Sequence, residues 1–212
     1  GTIAYRIGGE STYALEGSIF MAGAIMQWLR DEMKLIDSSA ESEAMARDAN
    51  PHSQAVLVPA FTGLGAPYWE PEARAALFGM TRDTGAKEVV RAALESVSYQ
   101  TRDLMDAMGA DMKAAGLVSP QALRVDGGMV ANNWFAQNLA DILARPVERP
   151  EITETTALGA AYLAGMQTGF YGDMSNVAAH WRCERAFEPE MAESERAARY
   201  GRWQGYVKRV IG

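Results

Sequence analysis

Apolar and polar positions along this chain recur on two different periods, and the changes of period mark out the elements. Thr2 to Ile7 alternates as a strand does, Gly8-Gly9 supplies a turn, and Ser11 to Leu15 returns as a second strand, so the chain is predicted to open on a β-hairpin. From Ile19 to Ile36 the period becomes helical, with Phe20, Gly23, Gln27, Leu29, Met33 and Ile36 along the run and Ser18 placed to cap it. Residues 37–54 are polar and only loosely helical. Ala55 to Val58 is an apolar strand that runs into Pro59, and a Gly/Pro/aromatic loop, Phe61 to Trp69, follows it. Ala76 to Met80 predicts another strand. Between Lys87 and Met108 the apolar or small positions Val90, Leu94, Val97, Thr101, Leu104 and Met108 trace one stripe of a long helix.

The last third repeats a strand–helix rhythm. Leu123 to Val125 is a short strand, and Trp134, Phe135, Leu139, Ile142 and Leu143 recur at helical spacing after it. Pro146 to Arg149 predicts a strand, and Ala157 to Gly165 a helix of small residues with cap candidates from Thr153 to Thr156. Glycines inside such a helix cost about 1 kcal/mol each against alanine, so close packing on a neighbour is their expected compensation. Glu190 to Val210 predicts a final amphipathic helix whose basic last turn, Lys208-Arg209, suits the helix dipole. Strands first and strand–helix alternation later give an α/β domain with a mixed sheet: antiparallel pairs from the hairpin, parallel ones from the βα units.

Composition narrows the function classes. A net charge of −7 without a Lys/Arg run offers no field for nucleic acid. No apolar stretch reaches the roughly 20 residues of a membrane helix. The single cysteine, Cys183, excludes an internal disulfide and fits a reducing, cytoplasmic setting; it is expected as a small hydrophobe at a core edge. His52 and His180 lie far apart, so no zinc-ligand spacing exists. The chain opens directly into a strand-like run, without an initiator methionine or a charged leader, and is expected to be a fragment.

The candidate chemistry sits at Gly127-Gly128, between the 123–125 strand and the helix that follows. Two glycines there let a ligand approach the backbone. Unpaired N–H groups at the helix start favour a phosphate, and Asn132 or Asn133 can cap that helix. A tight turn without a ligand explains the same residues. Asp126 beside the glycines is expected to bond nearby backbone or a base rather than to act as a catalyst. Glu16 and Glu95 are expected to be structural, and Trp28, Trp69 and Trp134 to anchor core or loop.

Taken in order, YALEGSIFMAGAIMQWLRDEMKLI (13–36), VPAFTGLGAPYWEP (58–71), ALFGMTRDTGAKEVVRAALESVSYQTRD (76–103), LRVDGGMVANN (123–133) and VERPEITETTALGAAYLAG (147–165) resemble the C-terminal half of a carbohydrate kinase of the FGGY family. The ALEG…FMAGA…QWLRDE and FTGLGAPYW runs favour its glycerol-phosphorylating members over those acting on xylulose, ribulose or gluconate. The resemblance implies an actin-like ATPase, ribonuclease-H-like lobe with a mixed sheet flanked by helices, spanning residues 1–212 as the nucleotide-binding domain. It carries nucleotide contacts onto Gly23, Gln27, Gly128 and Asn132, and implies ATP or ADP with Mg²⁺ as cofactors. It also implies that the polyol-binding lobe, with its catalytic Asp, is absent, so no catalytic or metal-binding residue is expected here and the chain alone is expected to be inactive. A strand central to the sheet would be missing as well, leaving unpaired edges and a tendency to form homo-oligomers. Without the resemblance, Gly23 is a helix-packing glycine, Gln27 a solvated polar position and Asn132 a cap. A kinase for another sugar, or a non-catalytic nucleotide-binding module, stays open beside the glycerol reading.

Overall fold

A 29-residue helix, α3 (Ala86–Ala114), forms the axis of the molecule. The computed structural model describes residues 1–212. Val90, Leu94 and Val97 of the predicted stripe are buried, and Thr101, Leu104 and Met108 are partly buried farther along. Every residue from Ala92 to Gln100 is buried, because α3 is covered on several sides: by α2 (Glu41–Asp48), by α4 (Asn133–Leu143) and by the strand β3 (Val56–Val58). α3 starts where Glu88 turns back to accept the Gly85 N–H at 2.9 Å, and it runs a turn and a half past the predicted end at Met108.

Strand β3 divides two cores. Leu57 joins a cluster with Ile25 and Leu29 of α1 (Gly23–Asp31), Leu94 and Val97 of α3, and Phe135 and Leu139 of α4. Val56 and Val58 point the other way, into a cluster with Tyr99, Ile142 and the final helix α7 (Glu193–Ile211), whose Trp203 is fully enclosed. A strand buried on both faces carries apolar residues without alternation, which is what the Ala55–Val58 run shows.

The strands fall into three small sheets. β1 (Thr2–Ile7) and β2 (Glu10–Ala14) make the predicted hairpin, and β3 pairs antiparallel with β4 (Ala76–Phe78). β5 (Leu123–Arg124) runs parallel to β6 (Val147–Pro150), and β6 pairs antiparallel with β7 (Cys183–Phe187). The mixed sheet flanked by helices is thus present, with β5 at its edge. The hairpin leaves Ile3, Tyr5 and Tyr13 exposed, Tyr13 to 75%.

Several expectations are corrected. The predicted 19–36 helix is only Gly23–Asp31, because Lys34 takes a left-handed φ of +53° and the Leu35 N–H returns to the Leu29 carbonyl. Ser18 does not cap it; its carbonyl instead accepts the Ala66 N–H, which ties this segment to the aromatic loop. The 37–54 stretch contains a formed helix, α2. No Thr caps α5 (Thr155–Gln167) by a side-chain bond. Of its glycines, only Gly165 meets a neighbour, the Tyr171 ring; a Cβ on Gly159 would meet nothing within 4 Å. β7 and the short helix α6 (Met174–Ala178) were not predicted. Cys183 lies exposed on β7 rather than at a core edge, and Trp69 is 67% exposed, so it does not anchor its loop. Trp28 packs on Phe61 at 4.7 Å between ring centroids, and Trp134 lies under the Arg91 guanidinium.

Candidate functional site

A cleft of about 660 Å³ opens between the N-terminal half of α1, the start of α2 and the turn after β5. Its apolar floor is Met26 and Leu94, both held by the larger core. One wall is α1. Ile25, Met26 and Leu29 face the core, so Gly23 and Gln27, four residues apart, fall on the opposite, exposed side and line the cleft. A Cβ on Gly23 would meet nothing within 4 Å, so this glycine keeps space open and is not buried against a neighbouring helix.

The second wall is the turn after β5. Gly127 has a φ of +82°, a left-handed value that suits glycine, and its N–H donates to the Thr153 carbonyl at 3.1 Å. Gly128 then begins a 3-10 turn, Gly128–Ala131, whose Val130 belongs to the core. A Cβ on Gly128 would also meet nothing within 4 Å. The first N–H groups of such a turn have no acceptor inside it, so Gly128 and Met129 present donors where the backbone is bare.

Asn132 caps α4: its Oδ1 accepts the Phe135 N–H at 2.8 Å. The neighbouring Asn133 N–H is taken by Glu43 Oε2 of α2 at 2.9 Å. The phosphate-favouring N–H groups expected at the α4 start are therefore largely spoken for by protein oxygens. The free donors lie one step earlier, on the 3-10 turn. Burial pushes the Glu43 carboxyl up, but hydrogen bonds from Arg47 and from Asn133 outweigh it and hold the group below its usual range.

All four residues singled out in the sequence, Gly23, Gln27, Gly128 and Asn132, line this one cleft. Sequence reasoning missed the third wall, Ser39, Ala40, Ser42 and Glu43. Its only signal was a polar stretch without a motif. Asp126 faces the cleft and accepts a hydrogen bond from the Thr155 hydroxyl, so its partner is a side chain rather than backbone or a base. Glu95 lies elsewhere, buried between Arg91 and Arg199 in an ion-paired group, as a structural residue would be. Glu16 is exposed and lines no part of the cleft.

Charge in the cleft is sparse. Its one cation is Arg30, which already meets Asp31 through two bonds of 2.7 and 2.8 Å. Nowhere does the chain gather three His, Cys, Asp or Glu side chains that could hold a metal. No helix is long and apolar enough to cross a membrane. The arrangement suits a ligand with a flat or apolar part for the floor and an electron-rich part for the bare N–H groups.

Comparison with known proteins agrees with this geometry. The chain is 59% identical over 209 residues to a glycerol kinase of Ectopseudomonas mendocina and 58% identical to glycerol kinase 1 of Pseudomonas aeruginosa. Each match covers 99% of this chain and 41% of the relative, so the chain spans about two fifths of the length of those relatives. Among solved structures, Plasmodium falciparum glycerol kinase with ADP superposes with a TM-score of 0.87 at 34% identity, covering 100% of this chain and 42% of that one. A ligand-bound xylulose kinase from Lactobacillus acidophilus shares the fold, with a TM-score of 0.71 at 23% identity over 91% of this chain and 38% of that one. The family model for the FGGY family of carbohydrate kinases, C-terminal domain, matches residues 3–168, and with that match the chain belongs to the FGGY carbohydrate kinases.

Proposed function

We propose that this chain is the ATP-binding part of a glycerol kinase, which transfers the terminal phosphoryl group of ATP to glycerol and leaves ADP and glycerol 3-phosphate. The observation that carries the reading is the cleft itself. The two glycines whose missing side chains leave it open, Gly23 and Gly128, face it together with Gln27 and Asn132. The identity of 59% to a glycerol kinase, against 23% to a xylulose kinase, favours glycerol as the acceptor.

In this reading the base lies on the Met26–Leu94 floor, and the phosphates lie against the Gly128 and Met129 N–H groups. Gln27 offers an amide to the ribose or phosphates from the exposed face of α1. Mg²⁺ supplies charge neutralisation at the β- and γ-phosphates when bound. With no cluster of three ligating side chains on this chain, the ion fits as one carried on the nucleotide's own oxygens. Neither cleft carboxylate is free to act as a base: Glu43 is held by Asn133 and Arg47, and Asp126 by Thr155. The acceptor alcohol and the group that takes its proton are therefore assigned to a second lobe outside these 212 residues, with phosphoryl transfer in the closed cleft between the two.

A calorimetric titration with ADP, with and without Mg²⁺, tests the reading on this chain and on Gly128→Val. A Cβ at Gly128 has open space around it, so the variant should fold and fill the cleft. Saturable binding that disappears in the variant is expected. Equal binding by both proteins, or none by the unsubstituted chain, would count against the cleft.

A further inference from the structure

The wall that the sequence did not announce is joined to the wall that it did. Ser42, only 2% exposed, donates from its hydroxyl to the Ser39 carbonyl at 2.6 Å and accepts from Asn132 Nδ2 at 3.1 Å. Next to it, Glu43 takes the Asn133 N–H at 2.9 Å and approaches Asn133 Nδ2 at 3.5 Å, while Arg47 braces the same carboxylate at 2.7 Å. Two consecutive residues of α2 thus hold two consecutive residues at the start of α4, across 90 positions of sequence.

This changes what Asn132 has left to offer. Its Oδ1 is committed to the Phe135 N–H and one hydrogen of Nδ2 to Ser42, so a single N–H remains for a ligand. The amide cannot flip without losing both bonds. Its direction, and the separation of α2 from the 3-10 turn, are set by Ser42 and Glu43.

We infer that Ser42 and Glu43 are positioning residues of the nucleotide cleft, which set its width and the orientation of Asn132 without themselves needing to touch the nucleotide. The inference rests on the nucleotide reading of the cleft and goes one step past it. α2 becomes part of the binding machinery, although its sequence resembles a polar connector.

The test is a double-mutant cycle on ADP affinity, read by calorimetry well below the melting temperature. Ser42→Ala removes the hydroxyl with little change in volume, and Asn132→Ala removes its partner. Ser42→Ala is expected to weaken ADP binding about fivefold, the ratio that one net hydrogen bond makes. In the Asn132→Ala background the same substitution should have almost no further effect, because the bond is already gone. Glu43→Ala should weaken binding to a similar degree. Ala46→Gly, on the buried side of the same helix and away from the cleft lining, lowers stability and should leave ADP affinity unchanged. That control separates positioning from general loosening. If the unsubstituted chain binds ADP and Ser42→Ala binds it equally well, the inference falls while the nucleotide reading stands. Effects of Ser42→Ala and Asn132→Ala that simply multiply would overturn it too. If the unsubstituted chain binds no ADP, both fall together.

Discussion

Asp103 offers the sharpest test of how the second core is held. It lies on α3, 5% exposed, with no cation paired to it. Its Oδ1 accepts the Tyr200 hydroxyl at 2.5 Å and its Oδ2 the Trp203 Nε1–H at 2.7 Å, both from α7, and Tyr68 of the aromatic loop also bonds to it. Asp103→Ala removes two charge-assisted bonds and leaves two buried donors without acceptors. Unsatisfied buried groups cost about 1–3 kcal/mol each, and losing a buried carboxylate's desolvation penalty recovers part of that. The net loss expected is about 3 kcal/mol, read from urea denaturation at pH 7. Asp103→Asn should behave differently. Its Oδ1 can accept from Trp203, and its NH₂ can donate to the Tyr200 oxygen, so every group keeps a partner and the buried charge is gone. Stability within about 1 kcal/mol of the unsubstituted chain is expected. Burial holds the Asp103 pKa above its usual value, against the opposing hydrogen bonds from Tyr200, Trp203 and Tyr68. With the folded value raised, the stabilising contribution is complete below the unfolded pKa and is lost as pH rises through the folded one. The unsubstituted chain should therefore gain on Asp103→Asn as pH falls from 7 toward 4. Asp103→Asn as damaging as Asp103→Ala, or a pH trend of the opposite sign, would refute the account.

Gly79 has a φ of +69°, and a Cβ there would lie 2.2 Å from the Gln54 carbonyl oxygen, so Gly79→Ala is expected to cost about 2–4 kcal/mol in a thermal or urea melt. Phosphoryl transfer from ATP to glycerol by the 212-residue chain should be undetectable in a coupled ADP assay, since both cleft carboxylates are committed to other partners; measurable turnover would sink the two-lobe reading. The hairpin's exposed Ile3, Tyr5 and Tyr13 and the unpaired side of β5 lead us to expect self-association, and a sharp monomer by light scattering at high concentration would argue otherwise.

Legibility in the sequence followed how local the cause was. The α3 stripe was visible because one helix face meets one core over many turns, and the hairpin because Gly8-Gly9 marks its turn. The end of α1 was not, since Lys34 takes its left-handed turn without the glycine that normally signals one. β7 escaped because it is an edge strand with only Phe187 buried, so no apolar alternation betrays it. In the cleft, Gly128 and Asn132 were legible as a turn and a cap, whereas Gly23 and Gln27 gained meaning only from the family resemblance. Ser42 and Glu43 had no chance: their partners lie 90 residues away, and no short-range pattern records a bond across that distance.

The occupied start of α4 bears on how such a cleft can hold a nucleotide at all. A helix N-terminus attracts anions through its free N–H groups, and at α4 Asn132 and Glu43 have taken those of Phe135 and Asn133. Glu43 also brings a negative charge to that end, which disfavours phosphates there. Arg30, the one cation in the lining, is committed to Asp31. Under the nucleotide reading, this wall contributes space, an apolar floor and a few neutral donors on the 3-10 turn, and little charge. The phosphate charge must then be met by Mg²⁺ and by groups from the opposing lobe. A wall built in this way holds the base and ribose in place while the charge is balanced only on closure, so the electrostatic part of binding becomes available when the two lobes meet around ATP and acceptor.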